Sequence, residues 1–117
     1  MKRNKPQVAQ LAQATLEIEE DGQDLVIRLA GAWTRENIAP LRECFSRSAA
    51  AGRDLRLELS DVTYVDSAVV ALLMMLHASQ AAAGRQLSFV SPRECVRSII
   101  KYCCAEFLLA NAGDIAR

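Results

Sequence analysis

The sequence is poor in aromatic residues and has no excess of charge of either sign. Only one Trp, two Tyr and three Phe occur among its 117 residues. Its hydrophobic content of 51% therefore indicates an aliphatic, alanine-rich core and argues against a ring-lined ligand pocket. The 14 basic and 14 acidic side chains cancel, so no net field attracts nucleic acid or an anionic membrane. We predict no nucleic-acid partner.

Patterns that support catalysis or metal binding are also missing. The cysteines form no C-x-x-C pair and have no spaced histidine, which excludes zinc, haem and thioredoxin-type sites. We interpret them as buried or half-buried small hydrophobes, with a redox role for the vicinal Cys103 and Cys104 as the alternative. The cysteines are Cys44, Cys95, Cys103 and Cys104. His77 has no triad partner at motif spacing, and there are no paired carboxylates and no Gly-rich phosphate loop. We predict a protein that is not an enzyme and that uses no metal and no cofactor.

No stretch is long and apolar enough to indicate a membrane span. The one extended apolar run, residues 67–83, is interrupted by polar side chains. The basic N-terminus is followed by Pro6 and lacks the apolar region of a secretory signal. We therefore predict a cytoplasmic protein without direct membrane insertion. Residues 1–14 are interpreted as a basic, polar tail with little order, and residues 15–117 as one domain.

Alternating apolar residues predict four strands, which begin near Leu16, Leu25, Asp54 and Gln86. Asp21-Gly22 supplies a hairpin turn, so the first two strands should be antiparallel neighbours.

Helical periodicity predicts three helices. Pro40 must lie in the first turn of the first helix, which places its start near Glu36 or Asn37. Ser91 as N-cap and Glu94 three residues later predict a capping box at the start of the third helix.

The resulting order is β-β-α-β-α-β-α. Strands separated by helices imply parallel crossovers. Each strand alternates instead of being apolar throughout, so only one face of the sheet should carry helices. The predicted fold is α/β, with a mixed, mostly parallel sheet of four to five strands and helices mainly on one face.

A short polar segment, residues 61–67, joins the predicted central strand 54–60 to the second helix. Asp66 and Ser67 fall at the helix N-terminus, where free N–H groups and the helix dipole favour an acceptor oxygen or a negative charge. Ser67 is interpreted structurally as the N-cap, and functionally as a phosphoacceptor or a partner contact. Asp66 is either a loop carboxylate that accepts backbone hydrogen bonds or part of a partner surface.

The second helix, residues 67–83, has no broad polar side. Such a helix is usually buried all round, and we expect it to lie between the sheet and neighbouring helices. The alternative is that its small face is an exposed docking surface. That face comprises Ala68, Ala71, Met75, Ala78 and Ala82.

Together these segments resemble the STAS domain, the module of sulfate transporters and bacterial anti-sigma factor antagonists. The matching pieces are the hairpin leading to Gly31, the segment LELSDVTYVDSA, the long helix that ends at Gly84, the strand LSFV and the segment SPRECVRSIIKY. The resemblance covers roughly residues 15–110. Its most specific piece is Asp66-Ser67.

The resemblance implies a phosphorylation switch that this chain carries only in part. Relatives of the antagonist branch read Asp-Ser-Ser-Gly, and the second serine is phosphorylated by an anti-sigma kinase. Here that position is Ala68, which cannot accept phosphate, and the glycine position is Val69. Other relatives, including the small cytoplasmic subunit of a bacterial phospholipid-transport ABC system, have a hydroxyl only at the first position. Ser67 corresponds to it and is the candidate phosphoacceptor.

We therefore predict a non-catalytic regulatory module of the anti-sigma factor antagonist type, which binds an anti-sigma factor or serine kinase. One alternative is a subunit of a bacterial ABC transport complex, with a transport ATPase subunit as the partner. The other is a sensor module that binds a nucleotide or anion weakly at the helix N-terminus. The predicted partner-binding residues are Asp61, Thr63, Tyr64, Asp66, Ser67, Ala68, Ala71 and Met75.

Overall fold

An antiparallel hairpin forms one edge of the sheet. The structure, a computed structural model, describes residues 14–111, so residues 1–13 of the predicted tail 1–14 lie outside the described residues. Strands β1 (Ala14–Asp21) and β2 (Asp24–Trp33) are antiparallel, and their pairing runs from Ala14 opposite Gly31 to Asp21 opposite Asp24. Gly22 opens the connecting turn with φ of 65°, a conformation that glycine adopts at little cost.

Helices and parallel strands alternate after the hairpin. The elements are α1 (Ala39–Ala50), β3 (Leu55–Val65), α2 (Ser67–Ala82), β4 (Leu87–Val90), α3 (Glu94–Tyr102) and a 3₁₀ helix at Glu106–Asn111. The sheet order is β1-β2-β3-β4, with β2–β3 and β3–β4 parallel. The predicted α/β class, element order and mixed sheet are confirmed.

The two faces of the sheet differ in chemistry, as the strand alternation predicts. Ile27, Leu57 and Phe89 point from three adjacent strands into the core and are fully buried. On the opposite face Arg28 pairs with Glu19 on β1, and its Nε lies 3.0 Å from a carboxylate oxygen of Glu58 on β3. The core therefore lies on the face that α1, α2 and α3 cover.

Strand β3 is longer than the sequence predicts because its pairing with β2 is irregular. The register shifts between Arg28 and Ala30 and again between Gly31 and Ala32. Each shift inserts an extra residue in β3, so its buried residues near the end, Val62 and Val65, no longer follow Leu59 at a spacing of two. The broken alternation resembles a loop in sequence. The predicted loop 61–67 is wrong: residues 61–65 are strand, and Asp66 alone links β3 to α2.

Two helices begin later than predicted. Helix α1 starts at Ala39, with Ile38 as N-cap residue and Pro40 in the first turn. Helix α3 starts at Glu94, and Ser91 instead has a φ of 52°, so the predicted capping box does not form. Before α1, polar residues close a turn and do not cap the helix.

Gln80 anchors the end of α2 to the sheet. Gln80 is only 1% exposed, although in the sequence it is a polar residue that interrupts the apolar run. Its Nε2 donates hydrogen bonds of 3.0 Å to the carbonyls of Arg53 and Gln86, at the starts of β3 and β4. These bonds satisfy polar groups that would be costly to bury unpaired. Between residues 14 and 111, no helix has the length and apolarity needed to cross a membrane.

Candidate functional site

The carboxylate of Asp66 organises the junction between β3 and α2. Its backbone is extended, and its Oδ1 accepts a hydrogen bond of 3.0 Å from the N–H of Val69, which makes Asp66 the N-cap of α2. Its Oδ2 accepts from the N–H of Arg35 at 2.9 Å. The same side chain therefore caps α2 and fixes the turn that follows β2. This matches the structural interpretation of Asp66 made from sequence.

Ser67 is the first residue of α2 and is exposed. The interpretation of Ser67 as the N-cap is wrong, because Asp66 performs that role. The Ser67 hydroxyl is therefore not needed to start the helix. It lies at the positive end of the helix dipole, where added negative charge is favoured, beside a carboxylate that opposes it.

The end of β3 contributes an exposed edge to this junction. Asp61, Thr63 and Tyr64 are exposed, and Tyr64 has a fractional exposure of 47%. They lie on the strand and not in the loop predicted from sequence. Two contacts from the β4–α3 side hold this strand end: Arg93 Nε donates to the Ser60 carbonyl at 2.7 Å, and Cys95 Sγ donates to the Thr63 carbonyl at 3.3 Å. The exposed side chains therefore stand on a well-anchored backbone.

The turn after β2 lies next to this junction, as expected for parallel neighbours. Thr34 N–H donates to Asn37 Oδ1 at 2.8 Å, and Thr34 Oγ1 accepts from the N–H of Glu36 at 3.2 Å. The Asn37 amide also donates to the Ala32 carbonyl at 3.0 Å. The turn is thus closed by its own side chains, and Asp66 attaches it to α2.

Helix α2 has a buried side and an exposed side, although its sequence is apolar on both. Val69 and Leu73 are among its buried residues, whereas Met75 is 67% exposed. The expectation that the helix is buried all round is wrong. Its small face is open: Ala71, Met75, Ala78 and Ala82 are exposed, and Ala68 is half-buried. This exposed face begins beside Ser67 and runs along the helix.

An open groove of about 530 Å³ lies between α1 and α2, with a further 310 Å³ at its end near Ala68. We call these two adjoining spaces the α1–α2 groove, since Arg42, Leu72 and Met75 line both. Sequence reasoning missed the contribution of α1 to this surface. The available signal was the spacing of Arg42 between Ile38 and Phe45, which places it at the edge of the apolar stripe.

The cysteines and His77 lie in different surroundings. Burial raises the pKa of the Cys44 thiol, so it stays protonated at neutral pH. Cys95 and Cys104 are exposed, which corrects the expectation that all four cysteines are at least half-buried. His77 packs edge-on against Phe107, with ring centroids 5.0 Å apart. Between residues 14 and 111, no three His, Cys, Asp or Glu side chains are grouped to hold a metal ion.

Comparison with known proteins gives a consistent family assignment. The sequence profile of the family described as "Mlab, STAS domain" matches residues 16–106. No curated protein matches the chain in sequence at a significant level.

Solved structures show the same fold at low sequence identity. The anti-sigma factor antagonist SpoIIAA in its unphosphorylated form superposes with a TM-score of 0.71 at 17% identity, over 81% of this chain and 85% of that one. An anti-sigma factor antagonist from Mycobacterium paratuberculosis gives 0.74 at 17% identity, over 85% of each chain. The overall structure of SLC26A9 gives 0.64 at 15% identity, over 76% of this chain but only 17% of that one. At these identities the likeness concerns the fold.

Proposed function

The chain belongs to the STAS domain family, and on that basis we propose that it is a non-catalytic protein-binding module of the anti-sigma factor antagonist type, acting in the cytoplasm. The observation that carries the proposal is the exposed apolar face of α2, which is continuous with Ser67. Exposed apolar surface next to a helix N-terminus suits a protein interface, because docking removes the surface from water.

The docking surface comprises the end of β3, the junction and the exposed face of α2. Asp61, Thr63 and Tyr64 contribute the strand end, Asp66 holds the junction rigid, and Ser67, Ala68, Ala71 and Met75 continue along the helix. Small residues at Ala68 and Ala71 allow a partner backbone to approach closely. A rigid surface loses little conformational entropy when it binds.

Ser67 is proposed as the switch of this surface. Ser67 is exposed, and its hydroxyl is free of the capping role that Asp66 performs. A phosphate there adds a charge of about −1.5 to −2 to the centre of the docking surface. The helix dipole stabilises that charge within this protein, while an apolar partner surface does not.

We predict that Ser67→Asp weakens partner binding by about tenfold or more, since an interface must desolvate the added charge. The thermal midpoint should stay unchanged or rise slightly, because negative charge in the first turn of a helix is favourable. Ser67→Ala is the matched control and should retain binding and stability. Titration of each full-length variant against the partner tests the prediction, and equal affinity of all three forms would contradict the switch.

A subunit role in a transport complex is the second candidate. Two observations favour it: the family profile that matches the chain is described by the name Mlab, and Ala68 replaces the serine that the antagonist switch uses. In this case Ser67 contacts an ABC ATPase subunit. Affinity purification of the full-length chain from its own cells separates the two candidates. Recovery of a serine kinase or sigma regulator supports the first, an ABC ATPase supports the second, and recovery of neither contradicts both.

A further inference from the structure

The floor of the α1–α2 groove is apolar, and small side chains line its sides. The floor is formed by Phe45, Leu72 and Leu76, which are almost fully buried. Ala49 and Ser79 line the sides, so the groove is wide enough to admit more than a single side chain. Met75 projects at the rim, and its flexible thioether can adjust to an apolar surface placed against it.

The rim of the groove is cationic. Arg42 lines both parts of it and Arg35 lines the end near Ala68, while no Asp or Glu in the described part of the chain lines either space. Between residues 14 and 111, neither guanidinium forms an ion pair, whereas Arg28, Arg47, Arg53 and Arg56 all do. The chain as a whole has no net charge. A positive rim on a neutral protein indicates an occupant that brings negative charge.

The shape of the groove favours a helix as that occupant. The groove follows α1, whose 12 residues span about 18 Å, the length of roughly three helical turns. Its walls are two helices and present no free strand edge, so an extended segment would leave its backbone groups unpaired. A helix satisfies its own backbone. The groove is open to solvent, so an acyl chain in it would stay partly exposed.

We propose that the α1–α2 groove binds an amphipathic helix of a partner protein. The apolar side chains of that helix pack on Phe45, Leu72 and Met75, and its carboxylates face Arg35 and Arg42. This inference rests on the proposed function and names the chemistry of the partner segment. The apolar side chains of the partner helix recur at i, i+3, i+4 and i+7, the spacing that lies along one face of a helix. The carboxylates flank that face and pair with the two rim arginines.

Selection from a displayed library of helical peptides on the full-length chain tests this proposal. The library varies the apolar face and the flanking charges independently. We expect enrichment of helices that carry Glu or Asp beside the apolar face, with an affinity that falls as NaCl is raised. Their binding should drop about tenfold or more on the Met75→Asp variant. Failure to enrich helices, or enrichment without acidic residues, would overturn the proposal.

Charge reversal supplies the specific control. On the Arg35→Glu/Arg42→Glu variant the same library should yield basic flanking residues instead of acidic ones. Lys101→Glu removes an exposed cation on α3 away from the groove and should not change the selection. The thermal midpoints of all variants establish that each is folded. Displacement of a selected helix by palmitate would identify the groove as a lipid site and would also overturn the proposal.

The two proposals fail in different ways. A partner that loses affinity for Ser67→Asp but binds Arg35→Glu/Arg42→Glu normally leaves the proposed function in place and refutes the groove inference. A partner that is insensitive to both sets of changes refutes both.

Discussion

Helices α2 and α3 end in the same backbone conformation but with different residues at the left-handed position. Gly84 follows α2 with φ of 73°, and Cys104 follows α3 with φ of 58°. In each case the next N–H bonds back into the last turn: Arg85 to the Gln80 carbonyl at 2.8 Å, and Ala105 to the Ile100 carbonyl at 3.0 Å. A residue with a side chain is strained at positive φ, so this backbone conformation is less favourable at Cys104 than at Gly84.

Cys104→Gly is therefore expected to stabilise the fold by about 1 kcal/mol, which corresponds to a rise of a few degrees in thermal midpoint. The thiol is exposed, so little contact is lost. Gly84→Ala should destabilise the fold by about the same amount, because a side chain raises the energy of a backbone at positive φ. An added Cβ at this position meets nothing within 4 Å, so no steric clash adds to that effect.

Cys104→Ala is the control, because it removes the thiol but keeps a side chain at positive φ. Its thermal midpoint should match that of the wild type. A midpoint equal to that of Cys104→Gly would show that removal of the thiol, and not relief of backbone strain, explains the gain.

Asp66 and Ser67 show how adjacent residues divide structural and functional roles. The Asp66 carboxylate uses both oxygens on backbone N–H groups, one in α2 and one in the turn after β2. Ser67 stays exposed at the helix start. A change at Ser67 can therefore alter the surface without dismantling the junction, which is what a switch at that position requires.

At the scale of the element, α2 is apolar around its circumference but is buried on one side only. Val69, Leu72, Leu73 and Leu76 pack into the core, while Met75 is 67% exposed. A helix of this composition is unusual on a surface unless something covers it. Burial decides what each side contributes: the inner side stabilises the fold, and the outer side is available for binding.

Leu73→Ala should lower the free energy of unfolding by about 2–5 kcal/mol, because it opens a cavity at a core position. Met75→Ala, two positions along the same helix, should change it by less than about 0.5 kcal/mol. Chemical denaturation of both variants measures the difference. A similar loss for the two would mean that the Met75 side of α2 packs against this protein and is not a free surface.

At the scale of the whole molecule, the sheet separates an apolar core from a charged outer face. Hydrogen bonding and charge from Glu19, followed by those from Glu58, raise the pKa of the Arg28 guanidinium. Arg56 lies 2.7 Å from a carboxylate oxygen of Asp21. The side chains of these pairs are partly exposed, so water and salt screen them, and they add little to stability. They keep the uncovered face polar, which discourages association through it.

Glu58→Gln is expected to lower the thermal midpoint only slightly at low salt, and the difference from wild type should disappear near about 1 M NaCl. Glu36→Gln, a change at an exposed turn residue, serves as the control for loss of a single negative charge. A large loss that persists at high salt would mean that the pair acts through packing rather than through screened charge.

The sequence by itself determined the element order, the one-sided sheet and the position of the Asp66-Ser67 junction. These follow from local signals: alternation in strands, helical periodicity and turn residues such as Gly22 act over a few neighbouring residues. Pairing between distant segments decided the rest. The shifts in β2–β3 register turned the predicted loop at residues 61–65 into strand, because a bulge depends on the partner strand.

Only the tertiary structure decided which side of α2 is exposed and that α1 lies across a groove from it. When two faces of a helix are both apolar, the periodicity of the sequence cannot tell which of them is buried. Burial depends on which helices pack against each face. It also decided between Asp66 and Ser67 as the cap, because the second bond of Asp66, to the N–H of Arg35, spans 31 residues of sequence. Contacts between distant segments therefore give Asp66 a structural role and leave Ser67 exposed at the surface.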